Sequence, residues 1–225
     1  MLAAAVLVVS LLNPAQEVQL HRRAKIGDKA TYALTMSFKS NGSDVKLTGT
    51  AREEVTRVED RTIVTTRNLG DMVIEIGGRP QKIEDTSQVR IVQLDNGQIV
   101  DLIRDKRKSE DFRMANLSQI VVPYSGLAKG SKWKVDLNAN AGTGLRTSIL
   151  RFEVLELETV LGQSCAQVFL TGEELEGKNP IKSRGSVWIS TKDGRLVKSS
   201  LTIDNAALGD GQAGVTVKSE QELKP

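Results

Sequence analysis

Few residues in this chain of 225 are suited to chemistry. One histidine, His21, and one cysteine, Cys165, exclude an intramolecular disulfide, a cysteine zinc cluster and any Ser-His-Asp unit that does not use His21. His21 stands beside Arg22 and Arg23 near the start of the chain, where ends are mobile, so no catalytic or metal role is expected of it. Acidic pairs stand at Glu53-Glu54, Glu156 with Glu158, and Glu173-Glu174. A retaining glycosidase needs two carboxyls ~5 Å apart across a cleft. These pairs fall on strand or turn positions where alternating charges face water, and nothing selects one pair from 28 acidic residues. Gly142-Thr143-Gly144 leads into a strand and lacks the G-K-[ST] ending of a phosphate loop, so it reads as a turn. The acidic spacing from Asp204 to Asp210 has neither the ligand count nor the terminal glutamate of a calcium loop. No cofactor, no metal and no catalytic residue is expected, and a carboxylate hydrolase stands behind the binding readings developed below.

Charge points to no special partner. Lys and Arg total 31 against 28 Asp and Glu, a surplus of +3 with both signs mixed along the chain, which favours solubility over a nucleic-acid footprint. The densest basic stretch, Arg104-Asp105-Lys106-Arg107-Lys108, has no interleaved aromatic residue for base stacking and reads as a solvated turn. Aromatic residues make up 4%, which counts against a sugar-stacking platform. Leu2 to Leu12 is an almost unbroken apolar run, too short for the ~20 residues of a membrane span but fitting the core of a secretory signal. The sequence therefore reads as a signal segment over 1–16, with cleavage after Ala15, although no positive charge precedes the run. No cysteine lies near that point, so no lipid anchor is expected. The chain is expected to be exported, periplasmic or extracellular, and peripheral to a membrane at most. Cys165 then stays unpaired as a core thiol.

The elements that must position any site are strands. Period-two alternation recurs in Ala30 to Phe38, Val45 to Val58, Thr62 to Thr66, Val89 to Leu94, Ile99 to Ile103, Trp133 to Leu137, Ser148 to Leu157, Cys165 to Leu170, Val187 to Ile189, Leu196 to Ile203 and Val215 to Val217. Asp95-Asn96-Gly97 and Lys192-Asp193-Gly194 separate apolar runs and predict type I′ hairpins. These hairpins also align with each other at a displacement of roughly a hundred positions. Upstream, Arg52 to Glu59 matches Arg151 to Glu158, and Gly27-Asp28-Lys29 before Tyr32 matches Gly130-Ser131-Lys132 before Trp133. The order is kept, so the chain reads as a duplication, with one β-meander half over 17–108, a helix and loop over 109–125, and a second half over 126–225. One integrated domain is expected, as a strongly curved sheet, an open barrel or a sandwich. Val45 to Val58 would extend about 45 Å if straight, and a face switch after Val154, repeated near Val55 and Val58, predicts paired bulges that bend the sheet.

One segment reads as a helix. Ser109 can cap it, Glu110 and Asp111 suit its positive end, and Pro123 stops it. Phe112, Met114, Leu117, Ile120 and Val121 form an apolar stripe that must be buried, either as a lid over the concave face of the sheet or as a connector packed on the core.

The run Val122-Pro123-Tyr124-Ser125-Gly126-Leu127-Ala128-Lys129-Gly130-Ser131-Lys132-Trp133 resembles the entry strand of secreted bacterial β-rich families. Trp188-Ile189-Ser190-Thr191-Lys192-Asp193-Gly194-Arg195-Leu196-Val197 is similar to a hairpin of periplasmic lipoprotein-carrier-like proteins of the LolA and LolB type. The resemblance covers mainly 122–205 and implies a curved antiparallel sheet with helices inside and an apolar-ligand role. It transfers no functional residue, and this chain has one helix where the carriers have several. The expected function is that of a non-catalytic, exported envelope protein serving as a binding module. The alternative is a carrier of an apolar or amphipathic ligand such as a lipid or lipoprotein, with Phe112, Leu117, Ile120 and Trp188 as candidate lining residues. The expected partner is an envelope protein or an apolar small molecule, not a nucleic acid.

Overall fold

The computed structural model describes residues 17–84, 88–104, 109–206 and 214–225, with the side chains of Ser109 and Glu110 excepted. The signal segment, the capping role of Ser109, most of the basic run after Arg104, and the far end of the Asp204 to Asp210 spacing lie outside the described residues. The strands are β1 (Lys29–Ser40), β2 (Ser43–Glu59), β3 (Thr62–Ile76), β4 (Arg79–Ile83), β5 (Gln88–Leu94) and β6 (Ile99–Ile103) before α1 (Ser109–Ser118). After it come β7 (Lys132–Leu137), β8 (Ser148–Val160), β9 (Gln163–Glu174), β10 (Lys182–Ser190), β11 (Leu196–Ala206) and β12 (Val215–Leu223).

All twelve strands belong to one antiparallel sheet, in the order β6-β5-β3-β2-β1-β12-β11-β10-β9-β8-β7, with β4 paired to the far end of β3. The sheet is curved and not closed. Two packed sheets do not form because β12 hydrogen-bonds to both meanders, pairing Tyr32 with Leu223 on one side and Lys198 with Glu222 on the other.

The two meanders run in the same sense across the sheet, and their ladders share irregularities. The β2–β3 register slips between Val55 and Arg57, and the β8–β9 register slips between Val154 and Glu156. At each slip the valine is held by an incoming turn. Gly27 N donates to Val55 O at 2.8 Å and Val55 N to Asp28 O at 2.9 Å. Gly130 N donates to Val154 O at 2.7 Å and Val154 N to Ser131 O at 2.9 Å. A second slip recurs between Val92 and Gln93 and between Trp188 and Ile189. An extra residue on one strand tightens local twist, so slips at matched places bend both meanders alike.

The two hairpins expected to be type I′ are of another kind. Gly97 and Gly194 have positive φ, whereas Asn96 and Asp193 do not. The Asn96 and Asp193 side chains accept from the backbone two residues on, at Gln98 N and Arg195 N, both at 3.1 Å. That Asx geometry favours a type I turn closed by a left-handed glycine. Positive φ at both central positions occurs instead at Asn41-Gly42, Gly77-Gly78 and Leu161-Gly162.

Helix α1 ends at Ser118, short of Pro123, so Ile120 and Val121 leave the helical stripe. Ser118 Oγ turns back to Met114 O at 2.9 Å. The chain beyond is drawn to the β5–β6 hairpin, where Ile99 N donates to Gln119 Oε1 at 2.6 Å and Val122 N to Asn96 O at 2.9 Å. Leu117, Val121, Val122 and Leu127 then join Leu150, Phe152, Val154, Leu170 and Ile189 in one core cluster, covering much of the concave face of the second meander. Fully buried side chains of this size contribute roughly 2 kcal/mol each.

Candidate functional site

The first meander's concave face is not filled. There the sheet, α1 and the N-terminal segment enclose a cavity of about 580 Å³, within the ~300–1,000 Å³ usual for small-molecule sites. Alternation fixes which side chains enter it. Tyr32, Leu34 and Met36 point inward from β1, opposite Ala51, Gly49 and Leu47 of β2. Leu69 and Met72 of β3, Val89 and Ile91 of β5, Leu102 of β6 and Leu201 of β11 continue the wall. Met114 and Ala115 of α1 cover it. Met36, Met72 and Met114 all line it, so three of the chain's four methionines converge here. Thioethers are unbranched and polarizable, which suits a wall that must adapt to a flexible apolar guest. Gly49 makes this possible at one point, since a Cβ there would overlap the Met72 sulfur.

Charged groups interrupt the apolar wall. Glu53 of β2 faces Arg67 of β3 directly across the ladder, with Nη1 and Oε1 3.5 Å apart. Arg67 Nη2 reaches Gln221 Oε1 on β12 at 2.8 Å. Arg67 and Glu53 keep 25% and 21% of their side-chain exposure, and both line the cavity, as do Thr65, Gln93 and Ser219. Burial above all, and then the Glu53 carboxylate, push the Tyr32 phenol well above its usual range, while Arg22, Arg195 and Arg67 pull it back. The phenol donates to Leu196 O at 3.2 Å.

One end of the cavity is closed by residues 18–23. Val18 bridges to Leu127, Arg22 N donates to Asp95 O and Arg23 N to Asp193 O, both at 2.8 Å, so the segment threads between the two glycine hairpins. His21 stacks on Tyr124 at 4.3 Å between centroids, Arg61 covers that tyrosine ring at 3.7 Å, and the Tyr124 hydroxyl donates to Asp95 at 2.5 Å. On the second meander's side the wall is made by Val187, Ile189, Leu196 and Ile203 together with α1, which is pinned there. Arg113 Nε and Nη2 bond Glu174 Oε1 and Oε2 at 2.7 and 2.6 Å, and Ser183 Oγ donates to Leu117 O.

Of the four candidate lining residues, Ile120 borders the cavity. Phe112 and Leu117 are buried at 2% and 1% and are not part of its wall. Trp188 lies on the opposite face, since Val187 and Ile189 beside it point inward. Its indole donates to Glu158 Oε1 at 2.7 Å, and Lys198 sits over its ring. Two carboxylates assigned to water are placed otherwise: Glu53 faces the cavity, and Glu174 is 1% exposed and bound to Arg113. Glu53 shares its phase with Val45, Leu47, Ala51 and Val55, and that phase was the signal available in the sequence. Cys165 is buried, with desolvation pushing its thiol up. Among the described residues, no three His, Cys, Asp or Glu side chains gather as a metal site, and no helix is long and apolar enough to cross a membrane.

Fold and site thus define an open, curved antiparallel sheet with a polar-waisted apolar cavity on its concave face, walled by the first meander and by β10 to β12. No family model and no curated protein matches the chain. Among solved structures, it is similar to a hypothetical lipoprotein, YmcC, from Escherichia coli, with 13% identity and a TM-score of 0.31 over 92% of this chain and 89% of that one. It is also similar to a DUF1329 family protein from Desulfovibrio piger, with 11% identity and a TM-score of 0.26 over 88% of this chain and 85% of that one. At those scores neither similarity transfers a function. Neither protein is described as a carrier of the LolA or LolB type, so that resemblance rests on its two sequence motifs alone. The first is described only as a hypothetical lipoprotein, and the expectation that this chain has no lipid anchor finds no support in either.

Proposed function

We propose that this chain is an exported binding protein of the cell envelope, without catalytic activity, that holds an apolar or amphipathic molecule in the cavity of its first meander. The observation that carries the reading is the contrast between two similar meanders. The second has much of its concave face covered by α1 and the loop after it, whereas the first, with β10 to β12 beside it, leaves about 580 Å³ walled mainly by aliphatic side chains and three methionines. A concave apolar wall left open while its counterpart is packed is unfavourable for stability alone, and a guest would supply the missing contacts. The apolar run from Leu2 to Leu12 supports export.

The test uses the neutral dye N-phenyl-1-naphthylamine and its displacement by long-chain alcohols. Saturable binding of one dye per chain is expected, and Leu69→Trp, which adds an indole to the cavity wall, should weaken it at least about tenfold without unfolding the protein. Dye binding that is absent, or that Leu69→Trp leaves untouched, contradicts the reading.

A further inference from the structure

The cavity wall carries three arginines and three carboxylates, but they are not paired one to one, because Asp95 is engaged by Arg61 from outside the wall. Arg104 is paired with Asp111 at 3.0 Å, Asp95 with Arg61 at 3.4 Å, and Glu53 with Arg67 at 3.5 Å. Arg22, contributed by the segment that closes the cavity, lines the wall with no ion-pair or hydrogen-bond partner for its guanidinium among the described residues. Its backbone is nevertheless fixed by the bond from Arg22 N to Asp95 O. Arg67 is also incompletely matched, since one carboxylate serves it at the edge of ion-pair distance and its other contact is the neutral Gln221 amide. Arg22 N lies against Gly194, two residues from Leu196, whose carbonyl accepts from the Tyr32 hydroxyl, and Gln221, the partner of Arg67, pairs with Leu34 on the strand that carries Tyr32, so both arginines stand around the same part of the cavity. A guanidinium stays charged at any working pH, and in a partly desolvated pocket it favours an anionic partner.

We infer that the cavity receives its ligand with an anionic head group against Arg22 and Arg67, at the end closed by residues 18–23. The hydrocarbon tail then runs along Leu34, Met36, Leu69 and Met72. The ligand class is a single-tailed amphiphile with a carboxylate or phosphate head. This rests on the cavity reading above and adds charge selection and orientation to it. Glu53 holds Arg67 in place and at the same time competes with the incoming head group for it.

The experiment displaces N-phenyl-1-naphthylamine from the full chain with hexadecanol, palmitate and palmitoyl lysophosphatidate at pH 8. At least one anion is expected to compete about tenfold better than the alcohol, as one charge-assisted hydrogen bond implies. Preference for palmitate alone identifies a carboxylate head, and preference for the lysophosphatidate alone a phosphate head. Arg22→Gln should bring the ratio of anion to hexadecanol affinity, read within the same variant, down toward one, and Glu53→Gln should raise that ratio. Equal displacement by all three compounds in the unaltered protein overturns the anion site and leaves the cavity reading standing. An anion preference that survives both Arg22→Gln and Arg67→Gln also overturns it. No binding of dye or amphiphile removes the cavity reading itself.

Discussion

Breaking the bond between Arg113 and Glu174 should loosen the wall of the cavity and destabilise the fold together. Glu174 keeps 1% of its side-chain exposure and Arg113 10%, so neither charge is screened by water. Arg113→Met leaves the Glu174 carboxylate buried with Arg146 Nη1 at 3.3 Å and the Ile181 amide at 2.9 Å. Removing one member of a buried pair costs about 3–5 kcal/mol, and because Arg146 retains part of the compensation the lower end, about 3 kcal/mol, applies. In a chain of this size each kcal/mol moves the melting temperature by roughly 2–4 °C, so a fall of about 6–12 °C is expected in thermal melts. The double variant Arg113→Met/Glu174→Leu should regain most of the loss, since apolar replacement removes the stranded charge. Dye affinity should fall in Arg113→Met, because α1 carries Met114 and Ala115 into the cavity wall. A single variant within about 0.5 kcal/mol of the parent, or a double variant no better than the single, would refute the claim that this pair anchors α1.

Other outcomes follow from local geometry. Leu161 sits at φ 51° in an exposed turn, and Leu161→Asn should raise stability by about 1 kcal/mol in denaturant melts, since asparagine tolerates that conformation better. Gly194→Ala would drive a Cβ into the His21 carbonyl, and should cost more than about 1 kcal/mol and speed hydrogen exchange at the Arg22 and Arg23 amides. The Tyr32 phenol is raised in the folded state, so the folded protein holds this proton more tightly than the unfolded chain. Its contribution is fully present below the ordinary phenol pKa of about 10 and is lost as pH rises above it, so stability should decline on the alkaline side and Tyr32→Phe should flatten that decline.

Much of the sheet was legible because alternation is a direct consequence of one buried face. The matched slips after Val55 and Val154 were readable as face switches. The far half of β3 was not, since Asp71 at positive φ and the slip between Thr48 and Thr50 interrupt the period there. β4 is exposed throughout and contains Pro80, so it carries no burial pattern to read. The site was less legible for a different reason. Strand phase puts Glu53 and Arg67 inward and Trp188 outward, but which part of the concave face stays open depends on where α1 docks. That docking is set by Arg113, Glu174 and Ser183, residues far apart in the chain whose meeting no local pattern encodes.

The most direct test of the cavity as a binding site is native mass spectrometry of the full chain after expression and export in a bacterial host, before and after organic extraction. A bound mass of a few hundred daltons that solvent removes, and that Leu69→Trp no longer retains, is the result expected. A single apo mass before and after extraction, with no mass gained on adding palmitate or hexadecanol, would contradict it.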